Sequence, residues 1–293
     1  MTHRTFLARA GLLTVALLVV AAAAANPPQE PSAKKDTPDK AAAADDEEHR
    51  LAAERAVGRI EMEALIGGEW TKVKRIEKAL LYHGDATRGH TRGSVWAWGV
   101  SGRPVALIEL WQNGPDRTRW AFGLCNTSSG KVRASLAGRP WWRENDSAVE
   151  PKDIPGAPAP AADTVARQRQ LKMIAQKFAG HEFWDPNNSR YELRRLDRPL
   201  HTYRDEAAGV LDGGMYVLAN GTNPEIMLFV EARARPDEKP AWQFTIGRMS
   251  HSELHVEYDG KEVFSGPRGR DLSGPDRPYW VSYIAAPPPD PEK

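Results

Sequence analysis

The sequence predicts an α+β fold made of two tandem repeats, each one helix followed by an antiparallel meander of about four or five strands, the two packed as a pseudo-dimer. Three observations lead there. Two helix-like segments each run into a tryptophan, Trp70 and Trp184. Behind each comes a series of runs in which every second residue is apolar. Residues 76–104 also align with residues 196–224, and the same order of landmarks continues to Gly138 in the first copy and Gly260 in the second.

At the start of the chain, Arg4 and Arg9 accompany an apolar run, Ala10–Ala25, that closes on an Ala-x-Ala at Ala23, Ala24 and Ala25. A charged start, an apolar centre and a small-residue end make a secretory signal peptide over residues 1–25. The run is shorter than the roughly 20 residues of a membrane span, so cleavage before Asn26 is expected, and retention as a membrane anchor is the alternative. Residues 26–44, "NPPQEPSAKKDTPDKAAAA", carry no large apolar side chain and read as a disordered leader.

The first repeat, residues 45–149, opens with "DDEEHRLAAERAVGRIEMEALIGG", where Ala53, Val57, Ile60 and Ala64 fall on one helical stripe and acids occupy the first turn. Its strands include "RPVALIELW" and "WAFGL". Residues 150–162, "EPKDIPGAPAPAA", form a Pro-rich linker. The second repeat, residues 163–284, opens with "DTVARQRQLKMIAQKFAG", with Leu171, Ile174, Ala175 and Phe178 on the stripe, Asp163 as N-cap and Gly180 as the stop. Residues 285–293 are a flexible tail.

Strand phase carries the duplication better than identity does. Trp120, Phe122 and Leu124 align with Trp242, Phe244 and Ile246, and Val132, Ala134 and Leu136 with Leu254, Val256 and Tyr258. A one-residue slip would turn every one of these side chains to the other face. With an added shift of two residues after Pro104, Glu109 aligns with Glu231.

Composition narrows the functions. Without Arg4 and Arg9 the basic residues no longer outnumber the 39 acidic ones, so no nucleic-acid partner is expected. With a single cysteine, Cys125, no disulfide forms within the chain, and the fold is held by its core. No phosphate-cradling glycine loop, zinc-finger spacing or Ser-centred elbow is present, and no cofactor is expected.

The runs "GSVWAWGVSGRPVALIELW", "RQRQLKMIAQKFAGHEFW" and "RYELRRLDRPLHTY" with "LDGGMYVLANGTNPEIMLFVEAR" resemble a family of secreted proteins of planctomycete-type bacteria over residues 70–265. The resemblance implies export and a bacterial source. It assigns no activity, cofactor or catalytic residue. The helix-plus-meander pattern is also similar to cystatin-like and nuclear-transport-factor-like α+β folds, and fold alone does not set function.

Three groups of residues are candidates for chemistry. In "HSELHVEY", His251, Glu253 and His255 alternate as metal ligands on a strand face would, though a strand with one wet face gives the same pattern. Glu109 and Glu231 interrupt otherwise apolar strands, and a close carboxylate pair can do acid–base work. More often such an acid faces water or an arginine. Ten tryptophans are many for this length, and Trp96, Trp98 and Trp111, with Trp141 and Trp142, could form a platform for a sugar ring or a partner protein instead of packing inside. His83 and His90 around Asp85, and His201, have no recognisable partner spacing, and Cys125 reads as a small filler.

The function expected is that of an exported, non-catalytic module of the cell envelope or extracellular space that binds a glycan or protein. The alternative is an exported hydrolase using Glu109 and Glu231 or the His251, Glu253 and His255 cluster. Several of these groups converging in one deep pocket would favour the enzyme, and their dispersal the binding module.

Overall fold

The computed structural model describes residues 40–85, 90–99, 102–113, 119–146, 149–236, 238–269 and 273–285. The expected signal peptide and nearly all of the expected tail lie outside them, as does the expected leader up to residue 39. Among the described residues no helix is long and apolar enough to cross a membrane.

Helix α1 (Lys40–Gly58) is followed by β1 (Ile60–Ile66), β2 (Glu69–Arg75), β3 (Leu81–Asp85), β4 (His90–Gly99), β5 (Pro104–Asn113), β6 (Arg119–Asn126), β7 (Val132–Leu136), β8 (Arg139–Asn145) and the short β9 (Lys152–Asp153). Then come α2 (Thr164–Ala175), β10 (Phe178–Phe183), β11 (Arg190–Arg195), β12 (His201–Asp205), β13 (Val210–Asn220), β14 (Asn223–Arg235), β15 (Glu238–Arg248), β16 (Glu253–Tyr258), β17 (Lys261–Gly266) and β18 (Tyr279–Ala285).

The α+β expectation is thereby corrected. The structure is mostly β, 59% strand against 12% helix, and consists of two curled antiparallel half-barrel sheets with two helices, not two helix-plus-meander units. The cystatin-like and nuclear-transport-factor-like analogies fall with it. Each sheet has nine strands: the first in the order β18-β6-β5-β4-β2-β1-β7-β8 with β3 on β4, the second β9-β15-β14-β13-β11-β10-β16-β17 with β12 on β13. Neither order is a meander, because β1 and β10 pair on one side with the strand that follows them and on the other with β7 and β16.

The error arose at the helix ends. Ile60 and Ala64 fit a helical stripe, but "IEMEALI" also alternates, and α1 stops at Gly58 so that Ile60, Met62 and Ala64 bury one face of β1. Likewise α2 ends at Ala175, and Phe178 opens β10. Gly180 is no helix stop. A Cβ there would come within 2.8 Å of Leu218 Cδ2 and 3.1 Å of the His255 carbonyl, so glycine lets β10 lie close against its neighbours. At the other end of α2, Asp163 does cap, accepting from the Ala166 amide at 2.9 Å.

Three apolar layers hold Asp45–Lys293 together as one compact unit. Ala53, Ala56 and Val57 of α1 pack on Trp96, Trp98, Ile108, Trp120 and Phe122 of the first sheet. Leu171, Ile174 and Ala175 of α2 pack on Leu228, Val230, Trp242 and Phe244 of the second. Between the sheets lie Val95, Leu107 and Cys125 from the first and Met215, Val217, Met227 and Phe229 from the second. The central strands β5 and β14 are therefore covered on both faces. Burying an apolar side chain of this size contributes about 1.5–3 kcal/mol.

The chain ends are exchanged. Strand β9, in the expected linker, follows the first set of strands but pairs with β15 of the second sheet, and Ile154 beside it enters that sheet's core. Strand β18 follows the second set but pairs with β6 of the first. Each sheet thus has an edge closed by the segment leaving the other, which protects β6 and β15 from exposure.

Candidate functional site

The pairing registers fix which residues of the two halves correspond. Trp98 faces Ala106 across β4 and β5, and Leu218 faces Ile226 across β13 and β14. Gly93 likewise faces Trp111, and Gly213 faces Glu231. Trp111 is therefore the counterpart of Glu231, and Glu109 that of Phe229. The shift between the copies falls beyond Asn113, not after Pro104, so the alignment of Glu109 with Glu231 is corrected. A shift of two residues preserves strand phase, which is why alternation could not reveal it.

The two glutamates do not form a carboxylate pair. Glu231 accepts from Arg103 Nε at 2.7 Å, the Tyr203 hydroxyl at 2.6 Å and Arg233 Nη1 at 2.7 Å. Burial opposes its charge, but Arg103, Tyr203 and Arg233 outweigh burial and hold its carboxyl below the usual range. Glu109 has instead His83, with Nε2 at 3.2 Å from its Oε1. His83 and Tyr203 are counterparts, each lying across a glycine of the neighbouring strand: a Cβ on Gly93 would stand 2.3 Å from the His83 ring, and one on Gly213 2.5 Å from that of Tyr203.

Nor do the proposed metal ligands converge. His251 precedes β16 and sets its ring edge-on to Tyr279, with 5.0 Å between centroids. His255 is bound elsewhere, Nδ1 to Glu262 at 2.7 Å and Nε2 to Glu253 at 3.0 Å, and stacks on His181 at 4.6 Å. Among the described residues no group of three or more His, Cys, Asp or Glu is placed to hold a metal. The face of β16 that was read as wet is half-buried, and its side chains pair with β10 and β17.

Trp96 and Trp98 are 1% exposed in the layer under α1, so they are no surface platform. Trp96 Nε1 donates to Ser94 Oγ at 2.9 Å, and the Arg75 guanidinium lies over its ring. Trp142 is buried too, donating to the Arg277 carbonyl, and Trp141 packs edge-on to Phe122. Trp111 differs: it lines a cleft. His201 bonds the Gly102 carbonyl, and the turn between Asp85 and His90 is outside the described residues.

Two clefts lie between the sheets. One, of about 320 Å³, is bounded by Ile66, Arg103, Val105, Ser129, Val149, Pro151, Arg233 and Thr245. The other, of about 570 Å³, is bounded by Glu109, Trp111, Trp184, Asn223, Glu225, His251, Arg268, Tyr279 and Val281. By the registers these are the same cleft built twice. Ile66 corresponds to Trp184, Arg103 to Asn223, Val105 to Glu225, Ser129 to His251, Val149 to Tyr279 and Pro151 to Val281.

The pair acts as an internal control on what the fold requires. The smaller cleft closes with Val105 and Val149 where the larger carries the fully buried Glu225 and the 5% exposed Tyr279. Burying polar groups costs stability unless they are partnered, and the fold of the smaller cleft does without both: Tyr279 here packs in the layer between the sheets. Asn223 Nδ2 holds Glu225 at 2.7 Å. Burial pushes the Tyr279 hydroxyl up, and Glu109 and Glu225 push it further, which keeps it neutral. Gly123 opens the floor: a Cβ there would stand 3.2 Å from the Trp111 ring and 3.6 Å from Glu109, where the smaller cleft has Thr245.

Sequence reasoning found Glu109, Trp111 and His251 of this cleft but missed Trp184, Asn223, Glu225, Arg268 and Tyr279. A signal existed for Glu225, a carboxylate within the otherwise apolar "PEIMLFV", though its match to Val105 emerges only from the strand registers. Tyr279 arrives on the exchanged strand, which no local pattern places. Comparison with protein-family models, with curated proteins and with solved structures finds no match to this chain.

Proposed function

We propose that this protein is an exported, non-catalytic module that binds a small polar ligand in the larger inter-sheet cleft. The observation that carries the reading is the contrast at repeat-equivalent positions, Val105 with Glu225 and Val149 with Tyr279. At these positions the same architecture carries valines in one cleft, whose charged groups are Arg103, Asp205 and Arg233 instead, and a carboxylate and a phenol in the other. Its volume, about 570 Å³, lies within the usual ligand-pocket range of roughly 300–1,000 Å³. The glutamates considered for hydrolysis line or back opposite clefts, and the considered metal ligands are dispersed, so no catalytic set supports the enzyme reading. Export rests on residues 1–25 and on the resemblance to secreted proteins.

A thermal-shift screen of the mature protein against a chemically mixed small-molecule library tests this. The expected result is a stabilising ligand whose effect disappears in Glu225→Val and Tyr279→Val, variants that copy the other cleft and whose ligand-free melting is compared with the parent's. A ligand effect that survives both substitutions would place binding elsewhere.

A further inference from the structure

Building on the binding-cleft reading, we infer that the ligand is a neutral saccharide. Glu109 is 4% exposed and Glu225 fully buried, and both line the cleft. Two carboxylates repel an anion that enters between them. A simple cation meets one guanidinium against the two carboxylates, so charge alone leaves it a competitor, and the hydrogen-bonding and stacking surfaces favour the sugar over it. Arg268 also lines the cleft, its guanidinium cannot lose its charge, and its plane is held by donation from Nε and Nη2 to the carbonyls of Phe183 and Asp185, each at 3.2 Å.

What the wall offers is a mixture of donors and acceptors on neutral or mutually compensating groups. Carboxylate oxygens of Glu109 and Glu225 accept, while Asn223, Arg268 and the neutral Tyr279 hydroxyl donate. A polyhydroxylated ring carries the complementary set: each hydroxyl both donates and accepts, and none carries charge. Its second requirement is a flat apolar surface for the C–H face, and aromatic rings supply that. Trp111 and Trp184 line the same cleft, and Trp184 is braced by the Tyr191 ring at 5.4 Å. In the smaller cleft the counterpart of Trp184 is Ile66, and Val105 stands where Glu225 does. The paired tryptophan surface is thus confined to one copy, while the smaller cleft's carboxylate, Asp205, sits at a different position. The aromatic platform exists, but between the sheets and not on the face that carries Trp96 and Trp98.

The test is calorimetric titration of the full mature chain with cellobiose, N,N′-diacetylchitobiose and maltose, beside choline as a cation and citrate as an anion. Binding of at least one disaccharide is expected. Loss of one charged-acceptor hydrogen bond in Glu225→Val should weaken it about tenfold or more, and Trp184→Ile should weaken it comparably. The matched substitution in the other cleft, Ile66→Ala, should leave affinity unchanged. Binding of choline or citrate alone, lost in Glu225→Val, would overturn the saccharide inference and leave the binding cleft standing. Disaccharide binding that Glu225→Val and Trp184→Ile both leave intact would overturn it as well, since the sugar would then sit elsewhere. If no probe binds while both variants melt like the parent, the saccharide inference is overturned and the cleft reading loses its support.

Discussion

The Tyr203 hydroxyl donates to Glu231 at 2.6 Å across Gly213, and Arg103 from the opposing sheet binds the same carboxylate oxygen at 2.7 Å. This buried cluster ties the two sheets to each other. Tyr203→Phe removes one hydrogen bond to a charged acceptor and should cost about 1.5–3 kcal/mol. Glu231→Leu should cost more, about 3–5 kcal/mol, because it leaves Arg103 buried without its counter-charge. Urea denaturation of the two variants checks both the order and the sizes. If Glu231→Leu proves the milder change, the cluster does not link the sheets as described.

Stability should depend on pH through the stacked pair His181 and His255. Burial opposes charge on His255, but hydrogen bonds that its ring donates to Glu262 and Glu253 outweigh it and raise its value above the ordinary one. Its folded value lies above its unfolded value, so its contribution is fully present below the unfolded value and is lost as pH rises through the folded one. For His181, burial, then Arg190 and His255, lower the value. Its contribution is present above the unfolded value and is lost as pH falls through the folded one. Glu257 and Glu192 also face the pair. Urea midpoints from about pH 5 to about pH 9 should therefore fall on the alkaline side of the ordinary histidine value of roughly 6.5, and His255→Gln should flatten that fall. An unchanged profile in the variant would show that another group sets it.

The Cys125 thiol lies in the layer between the sheets, where burial pushes it up to about 12. Because the thiolate is the reactive form, the native protein should resist a disulfide reagent at neutral pH and react at once in denaturant. Labelling in intermediate urea then reports separation of the sheets. Rapid labelling of the native state would mean that the layer opens without unfolding.

What the sequence revealed and what it hid follow from the range of each interaction. Trp120 with Phe122 and Trp242 with Phe244 could be assigned to the core because alternation is local, and both pairs are buried. Ile60 and Phe178 were misplaced because a residue just past a helix end can satisfy two periods at once. The second burial of β5 and β14 does leave a mark, since "VALIELW" and "IMLFVEA" are apolar almost without interruption, as strands covered on both faces are, but such a run does not say what covers the second face. The larger cleft was hidden for a related reason. Its wall joins Trp111, Glu225 and Tyr279 from separate strands, one of them exchanged, and no window of sequence contains two of the three.

The exchanged strand itself yields the last prediction. Strand β18 pairs with β6 along Tyr279 to Ala285, and the Ser282 hydroxyl accepts from Trp141 Nε1 at 3.1 Å. Residues just before it act too, for the Arg277 carbonyl holds Trp142. A chain ended at Gly274 would leave β6, apolar on both faces, as an open edge with its ladder groups unpaired, and such an edge recruits further strands. The truncated protein should therefore aggregate, which size-exclusion chromatography would detect as loss of the parent's peak to the void volume. The counterpart β9 is only Lys152–Asp153. Lys152→Pro, which removes one donor from that short ladder, should lower stability slightly and leave the elution volume unchanged. Equal aggregation in both would mean that β9 protects its edge as strongly as β18 does, despite its length.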